Sequence, residues 1–282
     1  MRAARRRGYS VAVMPRKKRT IDDFKVLVAA GPPYEDRLLN ALRRDKRAGA
    51  KALYKAAARR QENHLAETAR VAAMLDFEQQ VQANGFARIA GVDEAGRGPL
   101  AGPLVAGAVI LGEPINALND SKLLALEQRE ELFALLTDGG HDVGVGIVEV
   151  EELNHIGLQA ANYGAMARAV EQLSAPPDFL LVDGFPLPGV MWPQKHIIKG
   201  DRRSMSIAAA SIIAKVTRDR LMVRYHEQYP DYGFDNHKGY STGGHLDALK
   251  RLGPCAIHRT CFGPVNAVAQ GLLPFEQMEE VR

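Results

Sequence analysis

Downstream of Arg88 the chain carries five short apolar runs, and two of them close on carboxylates. The runs are residues 89–93, 104–111, 143–150, 179–183 and 196–199. Each is strand-length and bounded by polar, Gly or Pro residues. Helix-period patterns lie between and after them, at 126–137, 158–173, 204–228 and 245–252. Strands mixed with helices predict an α/β fold, a sheet flanked by helices. No internal repeat is present.

The carboxylates are Asp93 and Glu94 at the end of the first run and Asp183 at the end of the fourth. Asp201 follows Lys199-Gly200, just ahead of the longest helical pattern. In α/β sheets functional groups collect where strands end. Acids gathered there are costly unless a cation joins them. Neighbouring strand residues point to opposite faces, so Asp93 and Glu94 share a site only if the chain bends; Ala95-Gly96 allows it. Spacing alone fits equally well with four unrelated cap or turn residues.

Charge divides the chain in two. Residues 1–86 hold nineteen Lys and Arg against nine Asp and Glu, and residues 87–282 carry a net −6. Residues 1–20, with basic runs at Arg5–Arg7 and Arg16–Arg19, read as a disordered basic arm, and Met14 is a second candidate start. Residues 21–86 read as a small helical basic extension. One apolar period runs through Leu38, Leu42, Ala50 and Tyr54, and a second through Leu65, Ala69, Ala72 and Phe77. Gly49 weakens the first, and Asn84-Gly85 ends the second. An excess of +10 in this part suggests a polyanionic partner.

The longest apolar stretch, Ala101–Leu111, contains Gly and Pro and is too short to span a bilayer. The first fourteen residues lack the apolar length of a secretory signal. A cytoplasmic protein is expected, with Cys255 and Cys261 as reduced thiols; no Cys/His group has zinc-site spacing. Trp192 and the serines of residues 206–216 read as packing residues, and the eight histidines as non-ligands.

Several longer motifs occur in a fixed order. Gly91-Val92-Asp93-Glu94-Ala95-Gly96-Arg97-Gly98-Pro99-Leu100-Ala101-Gly102-Pro103 comes first. Asp120-Ser121-Lys122, Leu181-Val182-Asp183-Gly184 and Lys199-Gly200-Asp201 follow, the last leading into Ser206–Val216. His237-Lys238-Gly239-Tyr240 and His258-Arg259-Thr260-Cys261-Phe262 complete the set. Together, over about residues 88–265, they resemble ribonuclease HII, the type 2 ribonuclease H family, in a bacterial form with an N-terminal extension. Cys261 stands where Ser is expected, and Leu123 where a polar residue is frequent.

The resemblance implies a ribonuclease H-like mixed sheet in a catalytic domain of residues 87–282, with a helical C-terminal part. It implies an endonuclease that hydrolyses the RNA strand of RNA–DNA hybrids and cuts 5′ of single ribonucleotides in duplex DNA, a step of ribonucleotide excision repair. Hydrolysis would use two metal ions and leave 3′-hydroxyl and 5′-phosphate ends. Asp93, Glu94, Asp183 and Asp201 become the catalytic, metal-holding acids, and Mg²⁺ or Mn²⁺ the cofactor, since hard cations favour oxygen ligands. Gly96, Arg97 and Gly98 with Tyr240 become the reader of the 2′-hydroxyl, and Lys122 a phosphate contact. The implied partners are RNA–DNA hybrid and ribonucleotide-containing DNA, bound by a monomer. A resolvase-like metal nuclease on the same fold and a non-catalytic duplex binder are the competing classes. Leu272-Leu273-Pro274-Phe275 would dock on the domain or on another protein.

Overall fold

The computed structural model describes residues 19–118, 121 and 124–271. The expectations for residues 1–18, for Lys122 and Leu123, and for Leu272–Phe275 lie outside them. In chain order the helices and strands are α1 (Ile21–Ala29), α2 (Asp36–Arg44), α3 (Ala48–Ala73), α4 (Asp76–Ala83), β1 (Ile89–Ala95), β2 (Leu104–Ile110), α5 (Leu126–Asp138), β3 (Asp142–Val148), α6 (Val150–Ile156), α7 (Leu158–Glu171), β4 (Phe179–Asp183), β5 (Gln194–Ile197), α8 (Met205–Gln228), α9 (Phe234–His237), α10 (Gly243–Leu252) and α11 (Gly263–Ala269). A one-turn 3₁₀ helix, Gly200–Arg202, precedes α8. Among the described residues no helix is long and apolar enough to cross a membrane.

The described residues form two compact units, divided between Arg70 and Val71. In the first, Phe24, Val28, Tyr34, Leu38, Leu42, Ala50 and Ala57 make a small core. Thr20 caps α1 through a reciprocal pair with Asp23. The break between α2 and α3 falls at Asp45–Arg47, where Arg47 donates to the Asp45 carboxylate at 2.6 Å, and Gly49 sits in the first turn of α3.

The second unit is built on a five-stranded sheet in the order β3-β2-β1-β4-β5. β1 and β2, like β2 and β3, are antiparallel, whereas β1–β4 and β4–β5 are parallel. The sheet is therefore mixed, as expected. Val150 opens α6, so the third strand stops at Val148. The fifth strand lies two residues earlier than its apolar run. Gln194 pairs with Leu180, and the left-handed backbone of Lys199 (φ 56) turns the chain out of the sheet.

Helices cover both faces. On one, Ala90, Val92, Ala106 and Val182 pack with Ala161, Ala165 and Met166 of α7. Trp192 packs at the margin of this core. On the other, α8 lies directly on β1 and β2. A methyl group at Gly91 would overlap the Ser206 carbonyl, and one at Gly107 the Ala210 carbonyl. Glycine in these strands is thus demanded by backbone-to-backbone approach rather than by backbone freedom. Residues 71–83 belong to this unit: Met74 packs with Val109, Met205 and Ile212, and Val81 with Ile89, Leu181 and Ile207.

Candidate active site

β1 and β4 are neighbouring parallel strands, so their C-terminal ends emerge side by side. Oxygen atoms of Asp93, Glu94 and Asp183 lie within 4.8 Å of one another there. β1 stays paired with β2 as far as Ala95, and the positive φ of Gly96 (98°) turns the chain one residue later.

Each acid is held by the chain around it. Asp93 is buried, and its Oδ1 accepts the Glu94 amide at 2.7 Å. The Ser211 hydroxyl of α8 also bonds the Asp93 carboxyl. The Ser211 hydroxyl in turn lies 3.0 Å from that of Ser121, the described residue of the Asp-Ser-Lys motif. Asp183 Oδ1 accepts the Gly200 amide at 2.6 Å. Glu94 forms an ion pair with Arg97 at 3.4 Å.

Burial, then the charges of Glu94 and Asp183, push the Asp93 carboxyl well above the usual carboxylate range. Burial raises Glu94 too, and Arg97 partly offsets it. Asp201 is buried on the 3₁₀ turn, directly after the Gly200 that bonds Asp183, and stands outside the group of three acids.

A second cluster adjoins the acids. The loop from Gly96 to Pro103 folds over two buried arginines. Arg218 of α8 donates from Nε to the Pro103 carbonyl and from an Nη to that of Ala101, both at 3.1 Å. Arg259 donates to Gly102 at 2.9 Å, Pro103 at 3.1 Å and Arg97 at 3.3 Å. Burial lowers the pKa of both guanidinium groups, Arg259 to about 9. A Cβ at Gly96 would overlap Arg218, so this position combines a positive φ with backbone contact that only glycine permits.

Tyr240 completes this face. Its ring lies 5.7 Å from the Arg218 guanidinium carbon, and the Leu100 amide donates to Gly239 at 2.8 Å. A Cβ on Gly98 would lie 3.9 Å from the ring. Tyr240 is 42% exposed, which leaves a face open to a ligand. The structure thus brings Gly96, Arg97, Gly98 and Tyr240 together beside the acids.

Ser211 reads as a packing residue in the sequence, and the structure instead bonds its hydroxyl to Asp93; Arg218 and Arg259 carry no assigned role in the sequence. One signal was present for Arg218. It shares a helical stripe with Ser211 and Met222, and an arginine on an otherwise buried stripe needs partners.

Known proteins resemble this chain over most of its length. Residues 90–265 match the family model described as Ribonuclease HII, and residues 20–82 the Ribonuclease HII N-terminal domain. Ribonuclease HII of Chlamydia trachomatis serovar A is 54% identical over 197 residues, 69% of this chain and 90% of that protein. Ribonuclease HII of Bacillus licheniformis is 44% identical over 253 residues, 89% and 99% of the two chains. The crystal structure of ribonuclease H2 from Pyrococcus horikoshii superposes with a TM-score of 0.56 at 28% identity, covering 66% of this chain and 99% of that one.

Proposed function

The chain belongs to the ribonuclease HII family, metal-dependent endonucleases of RNA–DNA hybrids, and from that premise we propose that it also nicks duplex DNA 5′ of a single embedded ribonucleotide, leaving 3′-hydroxyl and 5′-phosphate ends. The observation that carries this reading is the ion pair of Arg97 with Glu94, which joins the acid cluster to the Gly96–Gly98 loop and Tyr240. Cutting and sugar recognition then occur on one continuous surface.

The donor set suits Mg²⁺ or Mn²⁺: oxygen only, negatively charged and close. Asp93, Glu94 and Asp183 would hold the ions, with Asp201 as the fourth acid. Bound divalent ions lower the pKa of an attacking water and neutralise charge on the phosphate. Ser211 and the Gly200 amide orient two of the carboxylates by donating to them. The backbone at Gly96 and Gly98 approaches the ribose and reads its 2′-hydroxyl, the group that separates RNA from DNA. Tyr240 stacks on the adjoining sugar or base, and Arg97 and Lys122 contact phosphates. The +10 segment of residues 1–86 adds sequence-independent phosphate contacts. We assign catalysis to residues 87–282 acting as a cytoplasmic monomer in ribonucleotide excision.

The test is cleavage of an end-labelled DNA duplex carrying one ribonucleotide, with Mg²⁺, with Mn²⁺ and with EDTA, beside an all-DNA duplex. A metal-dependent cut 5′ of the ribonucleotide, with the all-DNA duplex intact, is expected. Cleavage of long hybrids with no cut at a single ribonucleotide would overturn the finer reading, and a fully active Asp93→Asn protein would overturn the site.

A further inference from the structure

Three histidines assigned no role above lie under Tyr240. His245 stands in the first turn of α10, and His258 in the segment that follows α10; both are buried. His245 Nε2 and His258 Nε2 are 3.1 Å apart. His258 Nδ1 lies 2.9 Å from the Cys255 amide, and His245 Nδ1 2.9 Å from the carbonyl of Tyr240. His237 stacks on His245 with ring centroids 4.4 Å apart.

The donors and acceptors admit one arrangement of protons. The Cys255 amide donates, so His258 Nδ1 accepts and its only proton sits on Nε2. That proton points at His245 Nε2, which must accept. The His245 proton is therefore on Nδ1 and is donated to the Tyr240 carbonyl. The chain runs in one direction, with both rings neutral.

Its far end is anchored in the other half of the reader. The backbone of His258 bridges Ala101; the Gly102 amide donates to Ile257 and the Arg259 amide to Leu100, each at 2.8 Å. One pair of rings thus spans from the Gly96–Pro103 loop to the main chain of Tyr240.

We propose that His258 and His245 are positioning residues that set the distance between the glycine loop and Tyr240, and so tune affinity for the ribonucleotide. The proposal rests on the reading of Tyr240 as a substrate contact given above. Neither histidine touches the acids or the reacting phosphate in it. They act through the carbonyl of Tyr240.

The first test needs no variant. Nitrogen-15 NMR of the full chain at pH 7 should show His245 as the Nδ1–H tautomer and His258 as the Nε2–H tautomer. The reverse assignment, or a charged ring, would overturn the proposal. The second test is kinetic, on the single-ribonucleotide duplex. His245→Phe keeps the ring volume but removes the His245 donor from the Tyr240 carbonyl, which keeps only the Thr242 amide at 2.8 Å, and leaves the buried His258 Nε2–H without its acceptor; KM should rise about tenfold, with a much smaller change in kcat. His245→Gln supplies an acceptor and a donor on one amide and should recover most of the loss. In a Tyr240→Ala background His245→Phe should have no further effect on KM, because partners in one unit are not additive. An equal effect in both backgrounds, or a loss confined to kcat, would overturn the positioning role. If Tyr240→Ala alone leaves KM unchanged, the reading of Tyr240 fails instead. Should His245→Phe not fold, the tautomer assignment and the Gln variant still decide.

Discussion

The amide of Gly200 donates to Asp183 at 2.6 Å, tying the end of β4 to the turn that carries Asp201. Asp183→Asn keeps an acceptor for this bond while removing the charge. We predict that the variant folds with nearly unchanged stability. Its cleavage should fall by more than the ~10–100-fold typical of losses beyond the ligands themselves. Urea unfolding and initial rates in Mn²⁺ check both halves.

Asp93 is held protonated to a higher pH than a free carboxyl by burial and by Glu94 and Asp183. The sign follows from linkage. A raised carboxyl pKa in the folded state costs nothing at low pH, and the cost grows as pH climbs past the ordinary carboxylate range. At neutral pH in EDTA, Asp93→Asn should therefore melt above the native protein. Mg²⁺ or Mn²⁺ should raise the native Tm and leave that of the variant nearly unmoved. A native Tm insensitive to both ions would contradict the assignment of this cluster as the cation site.

Glu78, from α4, closes the N-terminus of α8. Its Oε1 accepts from the Ser204 hydroxyl at 2.6 Å, the Ser206 hydroxyl at 2.7 Å and the Ser206 amide at 3.0 Å. A carboxylate there also complements the helix dipole. Glu78→Ala leaves three buried donors and should cost about 3 kcal/mol. Glu78→Gln retains an acceptor oxygen and should cost less. Denaturant midpoints of the two variants, read against one m-value, decide this.

Acid should remove the contribution of two buried histidines at pH values above the ordinary carboxylate range. Burial lowers His245 and His258 from the ordinary 6.5 to about 4. An added proton would set donor against donor, at His258 Nε2 or at the Cys255 amide. His237, Tyr232 and Cys255 face the same pair and supply no carboxylate to accept that proton. The unfolded chain takes up these protons first, so the stability this pair contributes is full above about pH 6.5 and declines as pH falls towards 4. His245→Gln removes one of the two groups and should flatten the decline, as urea midpoints across that range would show.

The sheet was legible because its strands are short apolar runs, and the convergence of Asp93, Glu94 and Asp183 follows from the two runs that end in acid being neighbouring parallel strands. Other features carry no such signature. α1 lies within the helical extension but has no period of its own, since Phe24 and Val28 are too few to set one in nine residues. Residues 71–83 read as part of the extension, because a helical period is the same whichever core the helix enters; Met74 and Val81 enter the core of the sheet unit. Arg259 carries no signal because arginine is ordinarily exposed, Arg218 only its place on the buried stripe of α8, and the loop carbonyls explain the burial of both. The His245–His258 pair is separated by thirteen residues, and the fold alone brings the two rings to 3.1 Å of each other.

The glycine seam between β1, β2 and α8 has a bearing on tolerance to change. Side chains in a core repack through rotamer changes, and main chains in contact have no such freedom. Because Gly91 and Gly107 set the helix against the strands by backbone alone, the distance from Asp93 to Ser211 is insulated from substitutions in the apolar layers above and below. Relatives are free to vary those layers widely while the spacing of the acids stays the same. A single methyl group in the seam would act as a wedge beneath the active site.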